Sequence, residues 1–121
     1  MTYKNEQFRE ELQDRTKKFS LNLIKVLSKL PKTPTNEILV KQAIRSGTSV
    51  GANYREACEV ESGKDFVHKI RICKKEAKET SYWLELLVTS NPGLANELNS
   101  LLSEVTEFVK IFSSISIKFK I

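Results

Sequence analysis

The sequence predicts an all-α fold, an antiparallel up-down-up-down four-helix bundle. Apolar residues recur at three- and four-residue spacing through four segments, and short breaks carrying proline, glycine or serine separate them. A length of 121 residues suits one domain with a single core, and turns this short make neighbouring helices antiparallel.

The first segment, about residues 5–30, places Phe8, Leu12, Phe19, Leu23, Val26, Leu27 and Leu30 on one face. Pro31-Lys32-Thr33-Pro34 ends it, because proline lacks an N–H and restricts the residue before it. Thr35 is the expected N-cap of a second helix, about 35–60, with Leu39, Ala43, Val50, Tyr54 and Ala57 inward. Ser62 caps a third, about 62–90, whose positive N-terminal end Asp65 favours. Phe66, Ile70, Cys73, Ala77, Leu84, Leu87 and Val88 form its apolar stripe, and Asn91-Pro92-Gly93 is the last break. The fourth, about 94–113, turns Leu98, Leu101, Leu102, Val105, Phe108, Val109 and Phe112 inward. From Ser114 to Ile121 polar and apolar residues alternate with period two, a strand pattern. Two readings stand for this tail: the fourth helix continues and frays, or an apolar tail docks on a neighbouring subunit.

Composition narrows the class. Hydrophobic residues make up 40% and charged residues 29%, as in ordinary globular proteins. The longest uncharged stretch, Leu86 to Asn96, is broken by Asn91-Pro92-Gly93 and cannot span a bilayer. The start of the chain is charged at once and lacks the apolar run of a secretory signal, so a cytoplasmic location is expected. Cys58 and Cys73 fall on apolar helix faces, and about a turn near Ser62 they are offset by roughly 10 Å along the helix axes. A disulfide needs Cα atoms within about 7 Å, so both are read as reduced core residues.

Catalysis and metal binding find little support. The one histidine, His68, stands in a basic stripe with no triad or dyad suggested, and one histidine with two separated cysteines supplies no zinc spacing. Glu76 and Glu79, three apart, are read as a solvated ion-pair network with neighbouring lysines. No strand precedes Gly47 or Gly63, so neither opens a phosphate loop. No catalytic residue, metal ligand or cofactor is assigned.

The most unusual stretch is Arg45-Ser46-Gly47-Thr48-Ser49-Val50-Gly51-Ala52-Asn53-Tyr54-Arg55-Glu56-Ala57. Each glycine inside a helix costs about 1 kcal/mol relative to alanine, so Gly47 and Gly51 should permit close approach of another helix. Beside them Ser49, Asn53 and Glu56 form a narrow polar stripe, read either as helix-register hydrogen bonding or as ligand contact. With Ser62-Gly63-Lys64-Asp65-Phe66, Lys69-Ile70, Glu76-Ala77, Glu79-Thr80 and Tyr82-Trp83-Leu84, this stretch resembles the bacterial four-helix bundle family named for open reading frames in 23S rRNA intervening sequences. The resemblance covers nearly the whole chain and implies the same antiparallel bundle. Through the related accessory variability proteins of diversity-generating retroelements, it also implies a homopentamer that binds nucleic acid and a protein partner.

Charge is the best positive signal. The net charge is +5, and residues 1–30 hold 7 basic against 4 acidic groups. On the third helix Lys64, His68, Arg71, Lys75 and Lys78 recur at i, i+4, i+7, i+11 and i+14. They fall within a stripe about 80° wide and about 21 Å long, facing away from the core. Arg15, Lys18, Lys25 and Lys29 form a second stripe on the first helix. These helices lie diagonally in such a bundle, so only a ring of subunits would bring the two stripes together. Helix-borne lysines neutralise phosphates without reading base edges, and no aromatic residue interleaves the third-helix stripe. The expected function is that of a non-enzymatic homo-oligomeric protein that binds RNA or DNA, or serves as a ribonucleoprotein accessory. The alternative is a protein-only assembly module.

Overall fold

Proline placement decides how the first turn is built. In the computed structural model, which describes residues 6–118, α1 (Glu6–Leu27) stops three residues short of the expected end, and α2 (Pro34–Glu59) begins on a proline. Lys29 and Leu30 instead donate to Val26 and Leu27, three residues back, tightening the chain as it leaves the helix. Thr33 rather than Thr35 is the N-cap: its hydroxyl oxygen accepts the Asn36 backbone N–H at 3.1 Å. Pro34 occupies the first helical position, where a missing N–H costs nothing and a fixed φ is already helical. Reading Pro34 only as a breaker misplaces the boundary.

α3 (Gly63–Ser90) starts where expected, with Ser62 accepting the Asp65 N–H at 3.1 Å. A single 3-10 turn, Pro92–Leu94, leads into α4 (Ala95–Lys118). Through Lys118 the period-two tail is helical rather than a strand. Ile115 is 1% exposed and closes the core one turn beyond Phe112, whereas Ile117 is 73% exposed. Helical spacing therefore decides the burial through Lys118, and Ile115 is taken up by its own subunit's core. Phe119 to Ile121, the end of the tail considered for docking, lie outside the described residues.

Packing follows chain order around a square, with α1 against α2 and α4, and α3 against the same two helices. All four helices contribute fully buried side chains, among them Leu23, Val50, Ile70, Leu84 and Val105. Phe108 sits among aromatic contacts, edge-on to Phe19 at 5.4 Å between centroids and 6.4 Å from Phe112, which lies 5.9 Å from Tyr54. These rings tie α1 and α2 to α4.

The two helix 2 glycines are buried against α1. A Cβ on Gly51 would stand 3.1 Å from the Thr16 Oγ1 and 3.2 Å from its Cβ, and one on Gly47 would overlap Leu23. Across the other side of α2, the Thr80 and Ser46 hydroxyls pair at 2.8 Å, both fully buried. At the end where the first and third turns lie, the amides of Asn36 and Asn91 exchange hydrogen bonds at 2.9 and 3.0 Å. Asn36 also donates to the Pro31 carbonyl at 2.8 Å. No helix among the described residues is long and apolar enough to cross a membrane.

Candidate functional site

α3 orients its charges by burying the opposite face. Ile70, Cys73, Ala77 and Leu84 are completely buried, and the residues half a turn away point to solvent. Lys64, His68, Arg71, Lys75 and Lys78 are all exposed. Among the described residues none of the five has an ion-pair partner. Lys64, His68 and Arg71 border an open hollow of about 510 Å³ together with Val67 and Asp65. Asp65 is the one carboxylate on that rim, a turn before His68 and likewise exposed.

The α1 stripe has a different fate. Arg15 places a two-pronged grip on Glu104 of α4, at 2.7 and 2.8 Å, and its guanidinium lies 5.5 Å from the centre of the Phe108 ring. The hydrogen bond to Glu104 holds the Arg15 pKa above its ordinary value. Lys29 pairs with Glu97 of α4 at 2.7 Å, and Lys18 with Asp14 of its own helix at 2.9 Å. Lys25 is exposed, and among the described residues it has no ion-pair partner. Of the four positions read as a second binding stripe, three already face an acid. Because α1 and α3 are diagonal, the two stripes do not meet in one subunit.

The polar residues beside the glycines have partners within the bundle. The Asn53 amide donates to the Ser49 carbonyl and hydroxyl at 2.9 and 2.8 Å, and Glu56 pairs with Lys69 of α3 at 2.5 Å. Only the Glu56–Lys69 pair crosses to α3; the Ser49–Asn53 bonds stay within α2, so they do not fix its register against another helix.

Glu76 and Glu79 do form an ion-pair network, although not with lysines of their own helix. Arg45 reaches across from α2 to hydrogen-bond Glu79, and its other prong lies 3.5 Å from Glu76, whose side chain is 14% exposed. The Trp83 indole N–H donates to Glu79 at 2.9 Å, and the Trp83 ring meets Tyr82 edge-on at 5.2 Å. Tyr82 stands one turn beyond Lys78 on the outer face of α3 and is 55% exposed. Sequence reasoning missed it by ending the stripe at Lys78; continuing the same i+4 step would have found it.

Both cysteines are free, and burial in the core pushes the Cys73 thiol up to about 12. Burial likewise raises the Tyr54 phenol. Among the described residues no three His, Cys, Asp or Glu side chains group to hold a metal ion. The arrangement offers one chemistry in particular: a linear row of unpaired cations able to hold anions.

Residues 10–114 match the family model described as 23S rRNA-intervening sequence protein. A crystal structure of a protein of unknown function from the S23 ribosomal protein family of Bacteroides thetaiotaomicron superposes with a TM-score of 0.78 and 36% identity. The match covers 86% of this chain and 96% of that one. No match was found among curated proteins.

Proposed function

This chain belongs to the 23S rRNA-intervening sequence protein family, and we propose that it is a non-enzymatic, homo-oligomeric nucleic-acid-binding protein of the cytoplasm. The observation that carries this reading is the outer face of α3, where Lys64, His68, Arg71, Lys75 and Lys78 are exposed and without acidic partners. A face that merely keeps a bundle solvated is usually laced with acids of its own, as α1 is. Cations spaced along about 21 Å of helix release condensed counterions when they meet a phosphate chain, which is the main source of sequence-tolerant affinity. No ion pair among the described residues has to be broken before these cations meet phosphates, and the exposed Asp65 stands at the start of the row.

Replacing Arg71, Lys75 and Lys78 together with glutamate should abolish binding to RNA and DNA while leaving the helical circular-dichroism spectrum unchanged, since all three face away from the core. If the wild-type protein binds neither nucleic acid at low salt, where phosphate attraction is strongest, the protein-only assembly module becomes the better reading.

Self-association is supported by apolar side chains left exposed outside the core, Leu21 at 57%, Ile24 at 46% and Ile38 at 64%. Light scattering should give a mass several times 13.9 kDa, with five copies the stoichiometry that the resemblance implies. A monomer at every concentration would remove the ring that could join the α1 and α3 faces.

A further inference from the structure

We propose that Tyr82 is a base-stacking platform at the end of the α3 cation row, so that the ligand of this face is single-stranded nucleic acid. The inference rests on the nucleic-acid reading above and adds the strand state of the ligand.

Three features of Tyr82 lead there. The first is register: eighteen residues after Lys64 is five whole turns of helix, so Tyr82 points in the direction of Lys64. It lies about 6 Å beyond Lys78 along the axis. A strand whose phosphates follow Arg71, Lys75 and Lys78 arrives at this ring without leaving the face. Beyond it stands Glu85, also exposed, which repels a further phosphate. The last contact along the row is therefore with a base.

The second feature is that the ring is exposed yet held. Its edge contact with Trp83 is 5.2 Å between centroids with the planes at 61°, and Trp83 is only partly exposed. The indole is fixed by its hydrogen bond to Glu79, and Glu79 by Arg45 of α2. A ring braced through three side chains to a second helix has less freedom to lose on stacking than a loose surface tyrosine.

The third is the chemistry of the two strand states. In a duplex each base has both faces covered by its neighbours, so an aromatic side chain on a helix surface gains nothing from it. An unpaired base offers a free face, and stacking on an aromatic ring tolerates any sequence. Combined with cations that read no base edges, this gives a surface that selects unpaired strands without selecting their sequence.

The test compares a labelled single-stranded RNA of about 12 nucleotides with the same sequence annealed to its complement, by fluorescence anisotropy at low salt. Tyr82→Ala should weaken single-strand binding by about 5- to 150-fold and leave duplex binding unchanged, while Tyr82→Phe should bind as the wild type does. Trp83 is the chain's single tryptophan, so its emission should change on adding the single strand and stay constant with the duplex. Unchanged single-strand affinity in Tyr82→Ala, with the Arg71, Lys75 and Lys78 reversal still abolishing binding, would overturn the platform and leave the phosphate reading standing. Reduced mass in light scattering with unaltered nucleic-acid binding would also overturn it, by placing Tyr82 between subunits. A wild-type protein that binds neither strand state defeats the inference together with the reading beneath it.

Discussion

The basic faces of α1 and α3 look alike in sequence, yet the fold treats them differently. Both carry lysine and arginine at three-, four- and seven-residue steps, and both face outward. Of the four cations read as the first-helix stripe, two are joined to α4: Arg15 of α1 to Glu104, and Lys29, in the turn just past the end of α1, to Glu97, across separations of 89 and 68 residues. On α3 none of the row is in an ion pair among the described residues, although exposed Asp65 and Glu85 flank it; Glu56 instead holds Lys69, and Glu76 and Glu79 face Arg45. The difference teaches that a helix's own periodicity places its charges, whereas the helix beside it decides whether they remain available. Arg15 of α1 is engaged in docking with α4; the cations of the α3 row stay unpaired within the bundle.

The contrast can be broken most strongly on the α1 side, at the packing that brings this helix close. Gly51→Val should lower stability by about 1–3 kcal/mol, because the added carbons meet both the side chain and the backbone of Thr16. An unchanged urea midpoint would show that α1 is not pressed onto α2 there. A smaller effect is expected from Arg15→Ala, about 0.5–1 kcal/mol, since the two-pronged pair with Glu104 is well formed but partly exposed to solvent screening. Nucleic-acid affinity should not change in that variant; if it drops, α1 belongs to the interface after all.

The finest test lies on α3. Lys75→Ala should leave the midpoint within about 0.5 kcal/mol of wild type. It should lower the logarithmic salt dependence of binding by about 0.7 on single strands, or about 0.9 on duplex DNA. Loss confined to particular sequences would indicate base-edge contacts instead. Lys18→Ala, which removes only an exposed pair with Asp14, should alter neither measurement and serves as the control.

What could be read ahead of the structure divides along the same line. The four helices, the Ser62 cap and the glycine face were legible because each depends on neighbours within a few residues or on a repeating step. The cap of α2 expected at Thr35 stands two residues earlier, at Thr33, since a proline that ends one helix can equally open the next. The tail read as a strand pattern from local alternation, but Ile115 answers to a core assembled from all four helices. Arg45 meeting Glu76 and Glu79, and α4 meeting Arg15 and Lys29, depend on which helix lies beside which. Tyr82 is legible as the next i+4 position after Lys78, but a stripe defined by charge alone ends at the last lysine.

The reciprocal amides of Asn36 and Asn91 bear on how the chain reaches this structure. They join the first turn of α2 to the residue that caps α3, at the open end of the α2–α3 hairpin, and stand 55 residues apart in sequence. Among the contacts of that hairpin this pair closes one of the longest loops, so it forms after the contacts nearer the α2–α3 turn. Losing it should therefore speed unfolding more than it slows folding, and the amide pair acts as a latch on the lifetime of the native bundle. A chevron for Asn91→Ala in which the folding arm moves more than the unfolding arm would place the latch in the folding nucleus instead.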